Sequence, residues 1–172
     1  MAFSEHDDQV LEDISSVFWC ERRLLELLVF KLDEEQLLLN AHGDRWANHA
    51  SRAAEVALQE LRTAALLRAV KVDAVAAELG LASFPGLRAL LGASPEPWRS
   101  IFAWHRQAFL QLTSEVHDLS ERNQHLLSQG RDAEVGQEMA SMVPYQNAYD
   151  ASTKFITAID NVLRSLISIA HG

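Results

Sequence analysis

Residues 139–169 read MASMVPYQNAYDASTKFITAIDNVLRSLISI, and this stretch decides the fold. Its larger apolar and small residues recur at Tyr145, Ala148, Ser152, Phe155, Ile159, Val162, Leu166 and Ile169, in alternating steps of three and four, with Tyr149, Ile156 and Leu163 flanking the same face. That is a heptad seam, so the segment is a helix that needs a partner surface. Gln146, Asn147, Asp150, Lys154, Asp160 and Arg164 fall on the other face, a polar stripe suited to water. Thr153, Ile156, Thr157 and Ile159 are β-branched, so alone this helix is marginal. Pro144 lacks a backbone donor and fits a first turn, which predicts a helix start or a kink near Val143 and Pro144.

Everything upstream reads as the groove that receives this helix. From about Asp7 to Asn40, Val10, Ile14, Val17, Leu24, Leu28 and Leu32 mark one amphipathic helix, with Gly43 ending it and Asp44 suited to cap the next. The second helix, Asp44 to about Leu79, has an alanine-rich seam of Trp46, Ala50, Ala53, Ala57, Leu61, Ala64, Leu67 and Val75. Small seam residues let a neighbouring helix approach closely. Gly80, Pro85, Gly86, Gly92, Pro95 and Pro97 punctuate a connector in which a short helix from Phe84 to Leu91 plugs one end of the bundle. Ser94, Pro95, Glu96 and Pro97 form a helix start, with Ser94 as the cap, and a third long helix runs to about Ser128, where Gly130 stops it. No segment alternates as a strand does. The expected fold is all-α: an antiparallel bundle of three long helices and a short connector helix, completed by the C-terminal helix.

Bulk properties narrow the function. The 172-residue chain, 48% hydrophobic, suits one compact domain, and its net charge of −9 without a basic cluster argues against nucleic acid or an anionic membrane as partner. A single cysteine, Cys20, cannot pair within the chain, which fits a reducing cytosol, and is expected to be a buried small hydrophobe. No run of about eighteen apolar residues predicts a membrane span, and the acidic start MAFSEHDDQV is unlike a signal peptide. A cytoplasmic protein is expected. The histidines show no repeated metal spacing, there is no Glu-x-x-His, and the glycines lack a phosphate-loop ending. Neither catalysis, metal nor cofactor is expected.

The residues also carry two resemblances. The run EMASMVPYQNAYDASTKFITAIDNVLRSLI resembles the C-terminal helix of flagellar axial proteins, most like hook-associated proteins of the FlgK type, over residues about 135–170. Pro144 departs from that pattern. Residues about 4–129, with FWCERRLLELLVFKLDEEQLLLN, RAVKVDAVAAELGL, SPEPW and SERNQHLL, are similar to the FlgN family of flagellar export chaperones. That similarity implies a cytosolic protein that covers the amphipathic C-terminal helix of a hook-associated protein and delivers it to the flagellar type III export apparatus. A chaperone and an exported tail have little reason to share one chain. The expected organisation is therefore a FlgN-like helical domain over 1–130, a linker or fusion junction over 131–136, and the client helix over 137–172.

The expected client-binding groove lies on the third helix: Ile101, His105, Ala108, Leu112, Val116, Leu119, Asn123, Leu126 and Leu127. The client side is Tyr145, Tyr149, Ser152, Phe155, Ile156, Ile159, Val162, Leu163 and Leu166. Asn123 is expected either to touch the client or to sit solvated near a fraying end, and His105 to be a hydrogen-bonded or rim residue. Trp46, Trp98 and Trp104 read as packing anchors, and Asp33, Glu34 and Glu35 as a solvated face. The competing reading is a structural four-helix protein whose last helix belongs to its own core; a further variant docks the tail on a neighbouring chain.

Overall fold

The computed structural model describes residues 5–41, 44–78, 80–82, 85–134 and 142–172. Five helices follow one another: α1 (Glu5–Asn40), α2 (Asp44–Glu78), α3 (Leu87–Ala93), α4 (Trp98–Glu134) and α5 (Met142–His171). There is no strand among the described residues. The fold is the all-α bundle expected from the apolar spacing. Glu5, Asp7 and Asp8 set negative charge against the positive end of α1. Pro144 falls in the first turn of α5, where a missing N–H costs nothing.

Cross-helix polar contacts fix the directions. His6 meets Glu78 at 3.7 Å and Arg68 meets Glu21 at 2.7 Å, so α1 and α2 are antiparallel. Trp98 Nε1 donates to Asp8 Oδ1 at 2.9 Å and Asn123 Nδ2 to the Leu32 carbonyl at 2.8 Å, so α4 runs parallel to α1. His117 reaches Asp160 at 3.9 Å and Arg106 donates to the Ala170 carbonyl, so α5 runs antiparallel to α4. Going round the bundle the order is α1, α2, α5, α4, and among the described residues the diagonal pairs α1 with α5 and α2 with α4 do not pack together. The chain from α2 to α4 therefore crosses the end of the bundle, where α3 packs on α4 and α5 and buries Leu87 and Leu90 completely.

Several local readings are corrected. Gly130 does not stop α4, which continues to Glu134: with a full turn of helix already behind it, one glycine costs only about 1 kcal/mol. The Ser94 hydroxyl donates to the Leu90 carbonyl at 2.7 Å and so closes α3, whereas at the start of α4 the Glu96 carboxylate accepts from the Ser100 amide at 3.4 Å and its hydroxyl at 2.8 Å. The short helix is Leu87–Ala93, shifted from the expected span. In α2 the buried stripe runs Ala50, Ala54, Ala57, Leu61, Arg68, Val72 and Val75, while Trp46 and Leu67 are half exposed. Cys20 is exposed. Gly43, Leu79 and Phe84 lie outside the described residues.

Candidate helix-docking site

The buried stripe of α5 is Ser152, Phe155, Ile159, Val162, Leu163, Leu166 and Ala170, with Tyr149, Ile156 and Ile169 half-buried. These residues follow the expected seam, and Gln146, Asn147, Lys154 and Arg164 stay exposed. The Tyr145 and Ala148 side chains lie outside the described residues. α5 lies between α4 and α2 with a groove along each flank. The α4 flank is lined by Leu110, Thr113, Ser114 and His117 against Asp160, Leu163, Arg164 and Ile167. The α2 flank is lined by Arg62, Ala65, Leu66, Arg68, Ala69 and Val72 against Asn161, Val162, Ser165, Ser168 and Ile169, and encloses about 530 Å³.

The expected groove residues on α4 divide. Val116, Leu119 and Leu127 are buried, and Ile101, Ala108, Leu112 and Leu126 are half-buried. His105 and Asn123 direct their side-chain hydrogen bonds to α1: His105 Nε2 pairs with Ser15 Oγ at 3.2 Å, and Asn123 Nδ2 donates to the Leu32 carbonyl and to Glu35 Oε2, both at 2.8 Å. Asn123 is thus neither solvated nor a contact made through α5. Phe102 and Phe109 set their rings against Phe18 of α1, at 6.1 and 5.8 Å between centroids. The stripe through 102, 105, 109 and 123 therefore faces α1. The edge toward α5 is Arg106, Leu110, Thr113 and His117, rotated by about 100°, one residue along the helix.

The core also holds polar groups that the hydrophobic pattern does not announce. Glu35, expected in water, is 5% exposed and accepts from Asn123 and from the Ser51 hydroxyl; burial raises its carboxyl pKa. His105 is pushed down to about 4 by burial and by the neighbouring Arg22 charge. That guanidinium is clamped between the rings of Trp19 and Trp104, at 4.5 and 3.8 Å. Glu21 and Arg68, at 0% and 2% exposure, form an ion pair in the middle of the bundle. Burial pushes the Glu21 carboxyl up to about 7, against the pull of Arg68. Arg68 Nη2 then reaches across to Ser165 Oγ of α5 at 3.2 Å. A signal for this pair exists in the sequence: Glu21 falls in the α1 stripe Ile14, Phe18, Leu25, Leu28, and Arg68 in the α2 stripe Leu61, Val72, with opposite signs on adjacent helices.

Chemically, this arrangement holds a helix. Among the described residues no group of three or more His, Cys, Asp or Glu is placed to hold a metal ion, and no described helix is long and apolar enough to cross a membrane. The class defined by the fold is an all-helical bundle in which an amphipathic last helix seats against two others. Residues 133–169 match the family model described as the flagellar basal body rod FlgEFG protein C-terminal, which ties that last helix to flagellar proteins. No curated protein and no solved structure matches the chain.

Proposed function

We propose that residues 1–130 act as a flagellar export chaperone of the FlgN type, which masks the amphipathic C-terminal helix of a hook-associated protein, here carried on the same chain as α5. The observation behind this reading is that the segment resembling a flagellar axial protein is the one whose apolar seam is buried against α4 and α2 while its polar face stays in water. Phe155, Ile159, Val162, Leu163 and Leu166 would each be worth about 1.5 to 3 kcal/mol of burial, enough to hold a helix after ordering costs yet release it. Masking that stripe prevents self-association before export, and the tether supplies a local concentration on the order of millimolar. The recognition mode is helix in groove, with no catalytic step, cofactor or metal. The working place is the cytoplasm, and the downstream partner is the flagellar export apparatus.

One observation favours a second reading: Phe155, Ile159, Leu163 and Leu166 belong to the same continuous core as Leu11, Leu28 and Leu61, as they would in a structural four-helix bundle. A protease site placed within 135–141 separates the two. After cleavage and dilution, a chaperone releases α5 and leaves a helical, folded remainder that rebinds an added 142–172 peptide. A remainder that unfolds or aggregates as α5 leaves overturns the chaperone reading.

A further inference from the structure

The α2 edge of the docked helix sets polar groups among apolar ones, with Val162 and Ile169 on the same edge. Asn161, Ser165 and Ser168 face a wall of Arg62, Ala65, Leu66, Arg68, Ala69 and Val72, in which Arg68 is the buried charge. Arg68 Nη1 donates to both Glu21 oxygens, at 2.7 and 2.9 Å, which anchors the guanidinium to α1 and turns Nη2 onto Ser165 Oγ at 3.2 Å. Arg68 Nε is buried and has no partner among the described residues, so the cation is still short of an acceptor. A buried guanidinium that is only partly bonded is costly, and although Ser165 itself is exposed and its bond part-buried, it supplies an acceptor already fixed in place.

We propose that Arg68, braced by Glu21, is the specificity-determining residue of the docking site: it accepts an amphipathic helix whose apolar seam is flanked on the α2 side by a small hydrogen-bond acceptor, at the place of Ser165. This rests on the reading of α5 as a separable client helix. Apolar burial alone accepts any greasy helix of the right length, whereas an anchored cation rejects one that offers it only carbon. The alternative is that the ion pair serves α1 and α2 alone and the Ser165 contact is incidental.

Helix propensity makes the two ideas predict opposite orders. Alanine is the better helix former and asparagine the worse, but only asparagine keeps an acceptor. In the full-length chain, amide hydrogen exchange of α5 relative to α1 and α2 reads how readily the helix leaves. Ser165→Ala is expected to speed α5 exchange about fivefold, the size of one part-buried hydrogen bond, with Ser165→Asn slower than Ser165→Ala. In a Glu21→Gln, Arg68→Met background the Ser165→Ala effect is expected to vanish. Exchange that is unchanged or slower in Ser165→Ala, or faster in Ser165→Asn than in Ser165→Ala, overturns the assignment to Arg68 in the unaltered background, even if the double variant does not fold. If α5 amides exchange only together with those of α1 and α2, the client reading beneath it fails instead.

Discussion

The bundle contains two parallel helix pairs, α1 with α4 and α2 with α5, and they are filled in different ways. Between α1 and α4, Phe18, Phe102 and Phe109 meet edge to face and are 0% exposed, and Ser15, His105, Asn123 and Glu35 bond across the seam. Between α2 and α5, Ala65, Ala69, Val72, Val162 and Ile169 meet without an aromatic ring around a groove of about 530 Å³, crossed by the Arg68 to Ser165 bond. Interlocked aromatics gain contact area and fixed geometry that a small-residue seam cannot. On the chaperone proposal the first seam is permanent core and the second a seat, although both belong to one continuous core.

The largest test of that difference is truncation on each side. Phe18→Ala is expected to cost about 3 to 5 kcal/mol and to lower protection from hydrogen exchange in α1, α2 and α4 alike, because the cavity opens in the shared core. Leu166→Ala removes a side chain that is equally buried, about 2 to 5 kcal/mol, yet is expected to raise exchange mainly in α5. Identical patterns in the two variants would erase the distinction between core and seat.

Next in size is Arg68→Met, at about 3 kcal/mol in urea unfolding, the low end for orphaning a buried charge because Glu21 can escape by taking a proton. Adding Glu21→Gln is expected to recover most of that loss. A double variant no better than the single one would mean the guanidinium matters for its packing alone.

The two seams differ in how far the sequence alone discloses them. The seam of α5 was legible because a heptad spacing has one apolar face, and the structure buries that face. The third long helix was harder, since its apolar residues exceed one stripe. The most apolar line, through His105 and Asn123, faces α1, and the edge toward α5, Arg106, Leu110, Thr113 and His117, lies one residue away and is mostly polar. Periodicity fixes that a face is buried, not which neighbour buries it. Arg68 and Glu35 escaped for a related reason: a charge on a core stripe reads as solvent until its partner on another helix is known.

Titration sharpens the comparison more gently, at most about 1.4 kcal/mol per pH unit for each group. Glu21 keeps its proton to about 7 when folded and loses it near 4.5 when unfolded, so its contribution is complete below 4.5 and is lost as pH rises to 7. His105 resists protonation down to about 4 when folded but accepts it near 6.5 when unfolded, so its contribution is complete above 6.5 and is lost as pH falls to 4. Relative to the parent, Glu21→Gln should therefore gain stability with rising pH across 4.5 to 7, and His105→Gln should lose its rise across 4 to 6.5. Glu35, raised like Glu21, is common to both differences and cancels. Chemical unfolding at a series of pH values reads both slopes, and slopes of the same sign would refute these two environments.

The smallest expected effect concerns the far tip of the seat. Gly86 precedes α3 with φ −73° and ψ 167°, an ordinary extended conformation open to any residue, so glycine is not there for its backbone freedom. It is there for space: a Cβ would overlap the Gly172 backbone and stand 3.0 Å from the Ile169 carbonyl. The last turn of α5 would have to lift off the connector, while Leu87 and Leu90, 0% exposed, hold α3 in place from the other side. Gly86→Ala is thus expected to cost about 1 kcal/mol, the low end for overpacking, because a helix end yields where a core cannot. Exchange should quicken in the amides of 168–172 and stay unchanged near Phe18. A loss spread through α1 and α4 would mean that the tip of α5 is welded into the core, and that the seat is no looser than the rest of the bundle.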